Sequence, residues 1–404
     1  MSRVSGNPVL LQSRFGRRGD FELIVPAGLG DGLLFDRRDN DHPDQPWGTP
    51  LQFGRAAGQV DAVSVIQSDF GAPGNLELVA RVRDSLHFFW RDCGPDLTWH
   101  GPHRITDGAT GNPVLLQSRF GRHGDFELAY PAATGGLTFR HRDNDHPHRP
   151  WSPPHTFAQD LGRVDAITMI QSNYDTPGNL ELVARVRDSL HHFWRDCGPD
   201  LTWHGPHRIT DGATGNPVLL QSRFGRHGDF ELAYPAATGG LTFRHRDNDH
   251  PHRPWSPAHT FAQDLGRVDA ITMIQSNYDT PGNLELVARV RDSLHFFWRD
   301  CGPDFRWNGP YRIVLPETQL RPLPDHRAVL THGRHFTPNA SVQIRYRLSD
   351  GRMPETTETS PPQTTATDAS GSFANVFHSA LPQVVRARVS VCDNATGQVA
   401  DAAL

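Results

Sequence analysis

From Leu180 to Val186 the chain alternates: Leu180, Leu182, Ala184 and Val186 fall on one side, Glu181, Val183 and Arg185 on the other. A period of two is that of an extended strand with distinct faces. Glycine and proline break the surrounding run into four such segments, Ala166 to Ser172, Asn179 to Val186, Ser189 to Arg195, and Trp203 to Ile209. The third alternates less strictly and carries bulky groups on both faces, as expected of a sheet packed between two neighbours. The pattern predicts an all-β chain of short antiparallel strands.

The same pattern returns along the sequence. Trp47, Trp99, Trp151, Trp203, Trp255 and Trp307 are each 52 residues apart. The Gln-Ser pairs starting at Gln12, Gln67, Gln117, Gln171, Gln221 and Gln275 keep step, as do Glu22, Glu77, Glu127, Glu181, Glu231 and Glu285. Six units of four strands, each about 52 residues long, are the dimensions of propeller blades. The expected fold is therefore a six-bladed β-propeller over residues 6–315. A linear solenoid is the alternative, but it needs polar end caps, and none precedes Gly6. Two closures remain open. Either Val9 to Ser13 completes the last blade, or the first and last blades meet only by side-chain packing.

The units form pairs. Residues 111–209 and 215–313 align without a gap and differ at six positions, among them Pro154 against Ala258 and His192 against Phe296. Odd units carry an Arg-Asp-Asn-Asp-His-Pro loop, as at Arg142 to Pro147, and even units carry Trp-Arg-Asp-Cys-Gly-Pro-Asp, as at Trp194 to Asp200. The first pair departs at Gly28 to Asp31 and Phe35 to Arg37. The repeat stops near Leu315, where a Pro-rich stretch to Pro324 reads as a linker. Alternating segments Ser341 to Tyr346, Ser372 to Phe377 and Val384 to Val391 then predict a small immunoglobulin-like β-sandwich over 325–404. The Thr/Pro-rich run Glu355 to Thr367 reads as a long exposed loop within it.

Composition narrows the function. With 37 Gly, 33 Pro and 36% hydrophobic residues, the chain suits many strands joined by tight turns. A net charge of −5 offers no basic field for nucleic acid. No apolar run is long enough to cross a bilayer, and the first residues lack the apolar core of a secretory signal. The chain reads as soluble, its compartment undetermined. Cys93, Cys197 and Cys301 repeat at 104-residue spacing, which in a ring keeps them too far apart to pair, and Cys392 stands alone. Free thiols are expected, and no C-x-x-C metal spacing is present.

Three constellations are candidates for chemistry. Glu181 with Arg195 and Asp196, and their copies Glu285 with Arg299 and Asp300, could hydrogen-bond a sugar's paired hydroxyls, or could fix one blade to the next. The tryptophans Trp99, Trp203 and Trp307 could stack on a sugar ring, as could Trp90, Trp194 and Trp298, or could simply pack the core. The loop Asp143 to His148 has cation-ligand types but lacks the glycine and terminal glutamate of a calcium loop, and such strings commonly form turns. No metal or cofactor is expected. The turn Asp196 to Trp203 resembles a sialidase Asp-box with two extra residues, and no nucleophile-elbow, Walker or zinc-protease pattern occurs. Near-identical units give every candidate acid or base an equivalent, which argues against an enzyme.

The run Gly178-Asn179-Leu180-Glu181-Leu182-Val183-Ala184-Arg185, then Leu190, Phe193 to Asp196 and Trp203 to Pro206, resembles the blade of fucose-binding and related β-propeller lectins. The likeness spans residues 6–313. It implies inter-blade sites using an Arg, a Glu and an aromatic ring. By residue type these map to Glu77, Arg91 and Trp99, to Glu181, Arg195 and Trp203, and to Glu285, Arg299 and Trp307. The expectation is a multivalent, non-catalytic carbohydrate-binding propeller whose partners are glycans or glycoproteins. A protein-interaction scaffold using a propeller face is the alternative, and a glycoside hydrolase a more distant one.

Overall fold

The structure, a computed structural model, describes residues 6–27, 32–42, 47, 51–93, 98–146, 148, 150–197, 202–250, 252–291, 293–301, 306–313, 317–322, 328–334, 336, 340–350, 357–369, 371–381, 384, 386–393 and 399–403. The chain is all-β and divides into two compact units, one of residues 1–35 and 52–313, the other of 36–51 and 314–404.

The repeat region builds a succession of four-stranded antiparallel sheets in simple meander order. The first contains β1 (Val9–Gln12), β2 (Phe21–Pro26), β3 (Leu33–Arg38) and β4 (Leu51–Phe53). The second contains β5 (Ala62–Gln67), β6 (Leu76–Val82), β7 (Ser85–Arg91) and β8 (Trp99–Thr106). The next pair holds β9 (Val114–Gln117), β10 (Phe126–Pro131), β11 (Leu137–Arg142) and β12 (His155–Phe157), then β13 (Ala166–Gln171), β14 (Leu180–Val186), β15 (Ser189–Arg195) and β16 (Trp203–Thr210). The last holds β17 (Val218–Gln221), β18 (Phe230–Pro235), β19 (Leu241–Arg246) and β20 (His259–Phe261), then β21 (Ala270–Gln275), β22 (Leu284–Val290), β23 (Ser293–Arg299) and β24 (Trp307–Ile313). The four segments expected from alternation coincide with β13 to β16 to within a residue at each end.

Each sheet buries both faces, which is why the central strands are apolar throughout. On β14, Leu180, Leu182 and Ala184 join a cluster with Phe139 and Phe193 towards the β9–β12 sheet. Val183 points the other way, into a cluster with Phe230 and Tyr234 of the β17–β20 sheet. Adjacent sheets are also hydrogen-bonded. The residue two past each Gln donates its backbone N–H to the Gln Oε1 of the following sheet, from Arg14 to Gln67, Asp69 to Gln117, Arg119 to Gln171, Asn173 to Gln221 and Arg223 to Gln275, at 2.6–2.8 Å. Asn277 closes the series on Gln12 at 2.8 Å. β1 packs against β21, and Leu10 N donates to Thr272 Oγ1 at 3.2 Å. β1 pairs with β2 in its own sheet, so the first strand does not complete the last sheet. The first and last sheets meet through side chains, such as Phe21 against Phe296, and through side-chain-to-backbone hydrogen bonds as well.

The second unit has two sheets. One contains β25 (Glu317–Pro322), β26 (Ala328–Arg334) and β30 (Phe373–His378). The other orders β28 (Thr357–Thr359), β27 (Ser341–Ser349), β31 (Arg386–Asp393) and β32 (Val399–Ala403), with β29 (Gln363–Ala366) also on β27. Val329, Phe373 and Phe377 of one sheet share a core with Val342, Ile344, Tyr346, Val389 and Val391 of the other. The Tyr346 hydroxyl lies 2.8 Å from Thr331 Oγ1 and accepts from Asn375 at 3.0 Å, so its polar end is satisfied where its ring is buried. Two expectations are corrected. Part of the Pro-rich stretch taken for a linker is β25, which pairs along its length with β26. The Thr/Pro-rich run taken for a loop contains β28 and β29, whose threonines suit a half-buried edge.

Buried Asn112 clamps the third sheet to the fourth, donating to Ile167 O at 2.8 Å and accepting from Ile167 N at 3.1 Å. Asn112→Ala removes both bonds and strands two backbone groups, so urea melts should show a loss of about 2 kcal/mol. A loss within error of zero would mean that this clamp adds nothing to the joint between sheets.

Candidate functional site

Strand parity decides which polar groups can meet. The two-residue turn Arg187-Asp188 sets Val186 opposite Ser189, and this register places Arg195 opposite Leu180 and Glu181 opposite Trp194. Glu181 and Arg195 therefore lie on opposite faces of their sheet. The expected grouping of Glu181, Arg195 and Trp203 in one site is corrected, and with it the copies built on Glu77 with Arg91 and on Glu285 with Arg299. Each Arg instead meets the Glu of the preceding sheet.

Two kinds of cleft alternate as a result. In the first kind, between an odd sheet and the even sheet after it, Glu127 of β10 faces Arg195 of β15. Related pairs are Glu22 with Arg91 at 3.8 Å and Glu231 with Arg299 at 3.9 Å. The Arg195 guanidinium lies over Phe139 at 4.6 Å from the ring centre and over Phe120 at 5.3 Å. Trp203, opposite Arg195 on β16, completes the group. Its indole stacks on Phe157 of the preceding sheet at 4.4 Å and 5°, and meets Phe139 edge-on. Trp99 on Phe53 and Trp307 on Phe261 repeat the stack at 4.0 and 4.5 Å. One face of each of these indoles is thus covered by protein.

The polar atoms of this cleft are incompletely used. Glu127 Oε1 accepts from Ser118 Oγ at 2.9 Å, and Glu231 Oε1 from Ser222 at the same distance. Oε2 of both glutamates, Nε of Arg195, and Nε1 of Trp99, Trp203 and Trp307 are buried with no hydrogen-bond partner. Buried donors and acceptors left in this state are rare in native proteins and point to a missing polar guest, water or ligand.

In the second kind of cleft, between an even sheet and the next odd one, Glu181 faces Arg246 of β19. Its carboxylate is already occupied, Oε1 by Ser172 at 3.0 Å and Oε2 by His192 Nε2 at 2.8 Å, with both residues buried. The equivalents of His192 are Phe88 and Phe296, so this histidine contact belongs to one cleft alone. Arg253 lies over the Tyr174 ring at 4.1 Å. Arg142, the equivalent of Arg246 one pair earlier, lies over Phe88 and Phe126. Glu22, Glu127, Glu231, Arg142 and Arg246 were not picked out from the sequence as site residues. The register of the β14–β15 hairpin could have found them, because it separates Glu181 from Arg195 by parity.

Other candidates resolve into structure. Asp145 of the Asp143 to His148 loop accepts from Arg122 N, His123 N and His123 Nδ1, and Asp143 Oδ1 accepts from Asp145 N and His146 N. The loop oxygens thus hold a turn together. Among the described residues no three His, Cys, Asp or Glu converge as metal ligands. Trp194 stacks on His204 and His207, at 5.0 Å each, on the outer strands. Residues 198–201 of the Asp-box-like turn and 28–31 of the first pair lie outside the described residues. None of the four cysteines forms a disulfide.

Burial pushes the carboxyls of Glu127 and Glu231 up to about 7, against the pull of Arg195 and Arg299 and of the serine hydroxyls. A carboxyl whose folded pKa is raised adds stability that is present in full below its unfolded value and is lost as pH rises through its folded value. Melting temperature should therefore fall between about pH 4.5 and pH 7, by up to roughly 3 kcal/mol of stability per carboxyl. The doubly substituted E127Q/E231Q protein should show a flatter profile. An identical slope in both proteins would show that these carboxyls do not titrate in that window.

No family model and no curated protein sequence matches the chain. Solved structures do. A fucose-specific lectin from Aleuria aurantia superposes with a TM-score of 0.58 at 12% identity, covering 77% of this chain and 97% of that one. A mutant of the Aleuria aurantia lectin in complex with Fucα1-6GlcNAc gives 0.57 at 11%, covering 78% and 97%. AofleA from Arthrobotrys oligospora gives 0.56 at 11%, covering 77% and 87%. In fold, the repeat region of this chain resembles the β-propellers of fucose-specific lectins.

Proposed function

We propose that the chain is a multivalent, non-catalytic carbohydrate-binding protein built on a closed six-bladed propeller, with an immunoglobulin-like sandwich as its second domain. The observation that carries this reading is the cleft of Glu, Arg and aromatic rings recurring at Glu22 with Arg91, Glu127 with Arg195 and Glu231 with Arg299, where buried polar atoms such as Glu127 Oε2 and Trp203 Nε1 lack partners. A sugar offers what such a cleft lacks: hydroxyls that donate to a carboxylate and accept from a guanidinium or indole, on a ring with apolar patches. The fold shared with fucose-specific lectins supports the reading. Several equivalent sites on one rigid ring make weak individual binding sufficient, because later contacts are made at high effective concentration. The groups proposed for ligand are Arg91, Arg195 and Arg299 with Trp99, Trp203 and Trp307, now paired with Glu22, Glu127 and Glu231. Glu181, whose carboxylate is held by Ser172 and His192, is assigned to the joint between sheets.

The stacks on Phe53, Phe157 and Phe261 make Trp→Ala a poor test, since removing a packed indole costs about 3–5 kcal/mol on its own. A glycan array should instead compare the native protein with R91Q/R195Q/R299Q, its fold checked by circular dichroism. Selective binding to at least one glycan class is expected, reduced tenfold or more in the folded triple variant. Absence of binding to any glycan would direct the search to protein partners on a propeller face, the alternative reading.

A further inference from the structure

Arg195 is 5% exposed, yet its only carboxylate partner in the cleft is Glu127, and no ion pair within 4 Å is formed among the described residues. In the two related clefts the Arg–Glu separations are 3.8 and 3.9 Å. Its Nε has no hydrogen-bond partner, nor has Nε1 of Trp203, and among the described buried side-chain acceptors of the cleft Glu127 Oε2 also lacks one. The cleft is thus rich in donors and short of acceptors. Phe120, Phe157 and Trp203, all partly exposed, line its mouth, and Phe139 is buried behind them.

A buried guanidinium needs acceptors that carry charge, since removing it from water unpaired is costly. A neutral sugar hydroxyl accepts from it without neutralising it. A carboxylate matches its fork with two parallel bonds and cancels its charge. We propose, resting on the carbohydrate-binding reading above, that the cleft between the β9–β12 and β13–β16 sheets selects an acidic sugar, a uronate or a sialate, whose carboxylate pairs with Arg195.

The titratable groups around the cleft agree with this. Desolvation holds the Glu127 carboxyl near 7, with Asp125 adding to the rise and Arg195 and Ser118 opposing it. Glu127 therefore only partly neutralises the guanidinium at neutral pH. Cys197 is a further ionisable neighbour of Arg195. A ligand carboxylate brought beside Glu127 raises its proton affinity further, so Glu127 takes up a proton and turns from an acceptor into a donor to the ligand.

The test is calorimetric titration of the full chain with matched pairs, methyl glucuronide against methyl glucoside and sialyllactose against lactose, at pH 6 and pH 8. The acidic member should bind at least tenfold more tightly than its neutral partner, and more tightly at pH 6. Heats at pH 7 in two buffers of different ionisation enthalpy should report proton uptake that disappears in E127Q. R195Q should lose the acid preference, and W203F, which keeps the stacked ring but removes the N–H, should weaken acid binding several-fold and serves should R195Q fail to fold. Equal or tighter binding of the neutral partner would overturn the acidic selection while leaving the carbohydrate reading intact. Acid preference undiminished in both variants would overturn the assignment to this cleft, and binding of neither member would overturn both readings.

Discussion

The molecule depends on the joint between one sheet and the next. A four-stranded sheet with two apolar faces has no stable existence alone, so each must be covered on both sides by its neighbours. The apolar clusters supply most of that adhesion but are not directional. Direction comes from the polar lock at the first strands, in which each Gln side chain accepts a backbone N–H from the sheet before it while its Nε2 donates to the loop that follows its own strand, as Gln171 does to Gly178. The same lock joins Asn277 to Gln12 across 265 residues of sequence. The bonds thus run from each sheet to the next and from the last back to the first.

That joint also creates the clefts. Because odd and even sheets differ, two kinds of junction alternate, and they treat the same residue types differently. Where the β13–β16 sheet meets the β17–β20 sheet, both oxygens of the Glu181 carboxylate are held, by Ser172 and His192. Where the β9–β12 sheet meets the β13–β16 sheet, Glu127 and Arg195 face each other without forming an ion pair, and the rings of Phe120 and Phe139 lie against the guanidinium. A recurring buried charge can serve structure at one junction and a guest at the next. Which role it takes depends on whether the partners it meets across the gap exhaust its hydrogen-bonding capacity.

The near-identical copies are therefore not equivalent. A single exchange, His192 for the Phe at 88 and 296, gives one junction a buried histidine contact to its glutamate that the other two lack. Four of the other five differences between the two long copies, at 201, 202, 204 and 207, fall on or just before β16. There His204 and His207 stack on Trp194, whereas in the last sheet Tyr311 stacks on Trp298. Variation has gathered at the outer strands, away from the first strands whose Gln lock must stay the same for the sheets to join.

Much was legible from the chain alone. The 52-residue period and the alternation within it located β13 to β16 almost to the residue, because period and alternation are local properties that a strand imposes on its own side chains. After the repeats, β25, β28 and β29 were hidden by proline and threonine composition that suits a loop and an edge strand equally. The role of β1 could not be read, since strand pairing is a relation between segments. The grouping of Glu127 with Arg195 instead of Glu181 was settled only in three dimensions. A side chain's face is fixed by register, but its partner is fixed by which sheet lies against that face, and the distance across the gap decides whether a charge is spent on the fold or left for a ligand.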